Sequence, residues 1–128
     1  MGRESNMKRN YLLEYSKKLA MDIVTLCENI ETEKNAVFQI KKSSSSVYAN
    51  IREGNYRQSP ADMVSKFEIA LKEVYETEGW LEVLNCNDTI DDATYKFYRN
   101  LCGRIRRLLI ASIRTIKTNH GPKDGDHA

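Results

Sequence analysis

Histidine is almost missing from this chain: the only two, His120 and His127, stand at its C-terminal end. A hydrolytic centre needs a nucleophile beside a base, and the body of the sequence offers no histidine to be that base. The Glu-x-x-His pairs of di-iron bundles are missing too. Two prolines and six glycines are few, which favours long helices over turn-rich architectures. The three cysteines, Cys27, Cys86 and Cys102, are an odd number without CxxC spacing, so neither a disulfide framework nor a zinc site is expected. Each lies on or beside an apolar stripe and reads as a small buried hydrophobe. Cys102, near Arg99 and Arg106, is a weak candidate for a reactive thiol. No catalytic residue, cofactor or metal set emerges, and the expectation is a non-enzymatic protein. No window approaches the ~18 uninterrupted apolar residues of a membrane span, and the opening MGRESNMKRN has no apolar signal core. A cytoplasmic protein with no membrane partner is expected.

What the sequence does contain is helical periodicity. At 128 residues, with 41% hydrophobic and 30% charged content, it has the size and balance of one globular domain. From about residue 6 to 30, Leu12, Tyr15, Leu19, Ile23, Leu26 and Ile30 recur in steps of three and four, the stripe of an amphipathic helix. A second helix, about 36–53, carries Val37, Ile40, Ser44, Val47 and Ile51 in the same rhythm. The apolar period runs without a slip through Ser43 to Ser46. That favours a helix with a small-residue seam, open to close packing and to hydroxyl bonds one turn back, over a flexible linker. Gly54 is placed to end this helix in the left-handed conformation. Glu53, a carboxylate at the unfavourable end of the helix dipole, calls for a cationic partner, with Arg52 and Arg57 the nearest in sequence. Ser59, Pro60 and Asp62 form an N-terminal cap for a third helix, about 60–85. Its seam is Met63, Phe67, Ala70, Val74, Thr77, Leu81 and Leu84, widened by Trp80; Gly79 is a mid-helix cost unless something approaches it closely. Thr89 with Asp92 reads as a second start, for a helix of about 90–118 on Tyr95, Tyr98, Cys102, Ile105, Leu109, Ser112 and Ile116. The predicted fold is all-α, an up-down-up-down antiparallel four-helix bundle over residues 1–118, with residues 119–128 a disordered tail.

Net charge is only +2, but it is unevenly spread. The third helix is acidic, with Asp62, Glu68, Glu73, Glu76, Glu78 and Glu82 against Lys66 and Lys72. From Ala93 to Asn119 there is no acid, while Lys96, Arg99, Arg104, Arg106, Arg107, Arg114 and Lys117 supply cations. At about 100° per residue, all of these but Arg104 fall in a sector of roughly 100°, nearly opposite the Ile105 and Leu109 seam. Three readings of that strip stand side by side. It tracks a nucleic-acid backbone, RNA or DNA; it pairs with the acidic helix of another subunit; or it is a solvated face. The first is preferred, and the first two are compatible in an oligomer. The seven tyrosines fall mostly at seam or shoulder positions and read as core, except Tyr56, which could stack on a base.

The serine run followed by Ala49-Asn50-Ile51-x-Glu53-Gly54, then Arg57-x-Ser59, then Phe67, Ile69 to Glu73, Glu76-Thr77 and Trp80-Leu81, resembles a bacterial four-helix-bundle family. That family includes proteins encoded in intervening sequences of large-subunit ribosomal RNA and the accessory variability proteins of diversity-generating retroelements. The resemblance implies a non-enzymatic, ring-shaped homopentamer with a basic surface that binds RNA or DNA. For the retroelement members it also implies binding a reverse transcriptase and supporting its cDNA synthesis. Asn50, Glu53, Gly54, Ser59 and Trp80 are then motif positions, without assigned chemistry. The sequence departs from the common form at Ser43, where many members carry arginine, and at Tyr48, where a smaller residue is usual.

Overall fold

The computed structural model describes residues 9–56 and 59–120. Four α-helices account for nearly all of them: α1 (Tyr11–Glu28), α2 (Lys34–Asn55), α3 (Pro60–Cys86) and α4 (Asp92–His120). Consecutive helices pack against each other and α4 closes on α1, whereas in neither diagonal pair do Cα atoms come within 8 Å. Short connections between long helices in that arrangement give the up-down-up-down bundle that the periodicity predicts. The helices bury one continuous core, in which Leu19, Ile23, Ile40, Val47, Ile51, Val74, Leu81, Leu84, Ile105 and Leu109 lose all exposure.

Side-chain chemistry decides where each helix starts. Asn10 accepts a hydrogen bond from the Leu13 amide at 2.9 Å and α1 begins at Tyr11; the expected start near Asn6 falls among residues 1–8, which lie outside the described residues. In α2 the first turn reaches back to Lys34, two residues before the expected start, behind Glu33 in the left-handed region at φ 54°. Ser59 caps α3 as the sequence indicates, accepting from the Asp62 amide at 3.2 Å, with Pro60 opening the helix. The start of α4 differs from expectation. Asp91 is the cap, accepting from the Thr94 amide at 2.8 Å, while Thr89 bonds Asn87 inside the preceding turn. The Thr94 hydrogen bonds hold the Asp91 carboxyl below its ordinary pKa. α4 also runs two residues past 118, to His120; the remainder of the expected tail, 121–128, is outside the described residues.

The small-residue seam is a close-packing device. Ser43 and Ser44 are buried, and both hydroxyls bond back, to the Ile40 and Lys41 carbonyls at 3.3 Å. The Ser43 hydroxyl also lies 2.8 Å from that of Thr77 on α3; Thr77 donates to the Glu73 carbonyl at 2.9 Å, so the single Ser43 proton is shared between the Ile40 carbonyl and Thr77 Oγ1. Buried polar atoms are thus matched across the most extensive helix pair, α2 with α3, with no apolar bulk to hold the backbones apart.

Gly54 is not the left-handed stop expected of it. No glycine among the described residues has positive φ, and Gly54 lies inside α2, buried. A Cβ there would stand 2.6 Å from Cε1 of Phe67, whose ring is 2% exposed, so this glycine admits an aromatic ring from α3. Gly79 is the converse: a Cβ there meets nothing within 4 Å, so no approach within the chain explains it. The tyrosines divide. Tyr15, Tyr95 and Tyr98 pack partly buried against the core, as their seam and shoulder positions suggest, and Tyr56 is exposed as expected, whereas Tyr11 and Tyr75 are exposed, contrary to the core reading.

Candidate nucleic-acid interface

α4 carries one acid, Asp92 in its first turn, and the basic strip lies on the acid-free stretch after it, but the buried face of that helix is wider than the seam of Ile105 and Leu109. Leu101, Cys102 and Ile113 are buried as well. Cys102 and Ile113 carry the buried arc toward α3, and at about 100° per residue that brings one edge of the strip against the acidic helix. The strip therefore divides lengthwise.

On the α3 edge, Arg106 Nε donates to Glu78 Oε2 at 3.0 Å and Arg99 Nε donates to Glu78 Oε1 at 3.3 Å. Glu78 is 9% exposed, so one nearly buried carboxylate holds two guanidinium groups. Arg99 also donates to the Tyr95 hydroxyl at 2.6 Å, and that bond, with the Tyr95 and Glu78 charges behind it, raises its pKa above the usual value. Arg106 additionally lies over the ring of Tyr75, 5.8 Å from its centroid. At the far end Lys117 reaches Glu68 at 3.2 Å, an exposed pair. The acidic helix neutralises part of the strip within the same chain.

On the outer side stand Lys96, Arg107 and Arg114, all exposed, and none forms an ion pair among the described residues. They are spaced along about 27 Å of helix at 1.5 Å per residue. Asn100, Gly103, Ala111 and Thr118 share their face, so the surface between the cations is low and neutral. Gly103 is covered by the Arg107 side chain folded back along the helix; a Cβ there would lie 3.3 Å from a guanidinium nitrogen. Arg104 points to the other flank, over the ring of Tyr15 at 5.8 Å. An outward row of arginine and lysine, whose one acidic neighbour along α4 is Asp92 a turn before Lys96, can bind phosphate or carboxylate oxygens, with the arginines capable of bidentate contacts.

Sequence reasoning counted Glu78 only as one of the acids of the third helix and did not single it out. The signal was present: Glu78 is four residues after Val74, seven after Leu71 and three before Leu81, which is core spacing. Cys102 is no reactive thiol. Burial first, and the nearby Glu78 charge second, push its pKa up to about 12, against the smaller opposing pull of Arg106 and Arg99. Cys86, expected to be buried, is exposed, the last residue of α3.

The remaining motif positions have structural partners. Asn50 donates to the Ser46 carbonyl at 2.9 Å, within α2. Glu53 does have a cationic partner, but it is Lys66 of α3, at 2.9 Å, and not Arg52; Arg57 lies outside the described residues. Trp80 is partly buried against the core. Among the described residues no group of three or more His, Cys, Asp or Glu could hold a metal ion, and no helix is long and apolar enough to cross a membrane.

Comparison with known proteins places these features in a wider setting. The model of a family described as 23S rRNA-intervening sequence protein matches residues 8–111. A crystal structure of a protein of unknown function from the S23 ribosomal protein family of Bacteroides thetaiotaomicron VPI-5482 is similar at 38% identity, with a TM-score of 0.75 over 80% of this chain and 97% of that one. No curated protein matches.

Proposed function

Since the chain belongs to the 23S rRNA-intervening sequence protein family, we propose that it is a non-enzymatic RNA-binding protein. It acts as a homo-oligomer and contacts the phosphate backbone through the outer face of α4. One observation carries the reading: Lys96, Arg107 and Arg114 form an exposed row on a helix without acids from Ala93 to Asn119, while the cations beside them are taken up by α3. Cations left outside a fold's own ion pairs are available to a polyanion, and phosphate neutralisation supplies most of non-specific nucleic-acid affinity. The family's ribosomal-RNA context favours RNA over DNA. Support for self-association comes from large apolar side chains in water, Met21 at 59% and Phe97 at 52% exposure among them, and from the resemblance, which implies a pentamer. A role as accessory factor to a reverse transcriptase rests on the motif resemblance alone, and RNA binding is the part of it that α4 supports.

The test is a titration of fluorescent structured RNA against the wild-type chain and Lys96→Glu/Arg107→Glu/Arg114→Glu. Three charge reversals on the contact face should reduce affinity by two orders of magnitude or roughly so, since each lost phosphate contact is replaced by repulsion. Equal affinity for the two proteins would rule out this face.

A further inference from the structure

The face of α2 turned away from the bundle carries a pattern of its own. Lys34, Phe38, Lys41, Tyr48 and Arg52 follow one another at heptad-like spacing, and at about 100° per residue they form a single stripe of cations interleaved with aromatic rings, which Tyr56, the residue that caps the end of α2, extends beside Tyr48 and Arg52. Phe38 is 61% exposed and Tyr56 75%; Tyr48 is partly buried, and the three cations are exposed and enter no ion pair among the described residues. From Lys34 to Arg52 there is no acid at all. The stripe borders two open grooves. One, of about 540 Å³, takes Lys34, Phe38 and Lys41; the other, of about 640 Å³, takes Tyr48, Arg52 and Tyr56. The acids at that second groove are Glu53, which Lys66 neutralises, and Asp62, in the first turn of α3 where the helix dipole favours a negative charge.

We infer that this stripe binds single-stranded nucleic acid, with unpaired bases stacking on Phe38, Tyr48 and Tyr56 and the backbone following Lys34, Lys41 and Arg52. Charge complementarity selects the occupant. An aromatic surface meant for another protein has no need of an acid-free row of cations, and a duplex offers no free base faces to exposed rings. The stripe is about 33 Å long at 1.5 Å per residue, enough for roughly ten nucleotides at a stacked rise of ~3.4 Å. α2 and α4 lie on a diagonal of the bundle with no Cα atoms within 8 Å of each other, so this is a second surface, separate from the row of Lys96, Arg107 and Arg114. It shares with that reading only the class of ligand.

Binding of a fluorescent oligouridylate of about twelve nucleotides, and of a duplex RNA, tests the inference on the full chain. The variants are Phe38→Ala/Tyr48→Ala/Tyr56→Ala and, because Tyr48 is partly buried, Phe38→Ala/Tyr56→Ala, each checked for helix content by circular dichroism. The expected result is a loss of roughly tenfold or more in oligouridylate affinity with duplex binding unchanged. Lys96→Ala/Arg107→Ala/Arg114→Ala should do the reverse, so failure of the α4 surface is read separately. The inference is overturned if the wild-type chain does not bind oligouridylate, or if the folded aromatic variants bind it as the wild type does. A changed molecular mass in those variants without loss of oligouridylate binding likewise overturns it, in favour of a contact between copies of the chain.

Discussion

Single residues here have roles that depend on what stands across from them. Gly54 faces the Phe67 ring at a distance no Cβ tolerates, whereas Gly79 faces open space. The same substitution should therefore have opposite signs. Gly79→Ala should raise stability by about 0.5–1 kcal/mol through helix propensity. Gly54→Ala should lower it by about 1 kcal/mol or more, the overpacking cost exceeding that gain; denaturant unfolding of the two variants checks both. Locally the two positions look alike, and Gly54 near a helix end even matches a stop signal. Its actual reason is a ring from another helix, which no local pattern encodes. The thiols separate in the same way. With Cys102 pushed up to about 12 and Cys27 also raised by burial, a maleimide at pH 8 should label the native chain at the exposed Cys86 alone, with the other two reacting only after unfolding; peptide mass mapping reads this directly.

At the scale of elements, α4 is one helix with two kinds of cation. Arg106 is 27% exposed at its side chain and bound to a carboxylate only 11% exposed, while Arg107, its neighbour in sequence, has no such partner. Arg106→Ala should cost about 1–3 kcal/mol of stability, because it leaves Glu78 short of one of its two partners, and Arg107→Ala should stay within about 0.5 kcal/mol. Thermal melts of the pair distinguish the structural edge of the strip from its free edge. Between α2 and α3, Ser43→Ala should cost about 1 kcal/mol by removing the hydroxyl contact to Thr77. The helices themselves were legible because their stripes, the Ser59 cap and the serine seam are local features of regular period. The starts of α1 and α4 were less so, since Asn10 and Asp91 compete with other capping residues nearby. The division of the basic strip was illegible from α4 by itself, because it depends on where α3 places Glu78 and Glu68.

Across the whole molecule, the acidic helix α3 lies between two helices whose outer faces are basic, and it takes up the cations of α4 nearest to it. A nearly neutral chain can thus present basic surfaces, which net charge alone conceals. Assembly would repeat those surfaces, and a solution mass above that of the 14.8 kDa monomer at micromolar concentration is expected from light scattering. The central claim is that the free cations of α4 neutralise RNA phosphates, and salt tests it most directly. The logarithm of the RNA association constant is measured against the logarithm of salt concentration for the wild-type chain and for Lys96→Ala/Arg107→Ala/Arg114→Ala. Each phosphate contact contributes a slope of about −0.7 to −0.9, so removing three should make the slope shallower by roughly two to three for each chain that contacts the RNA, with affinity reduced at every salt concentration. An unchanged slope would contradict it.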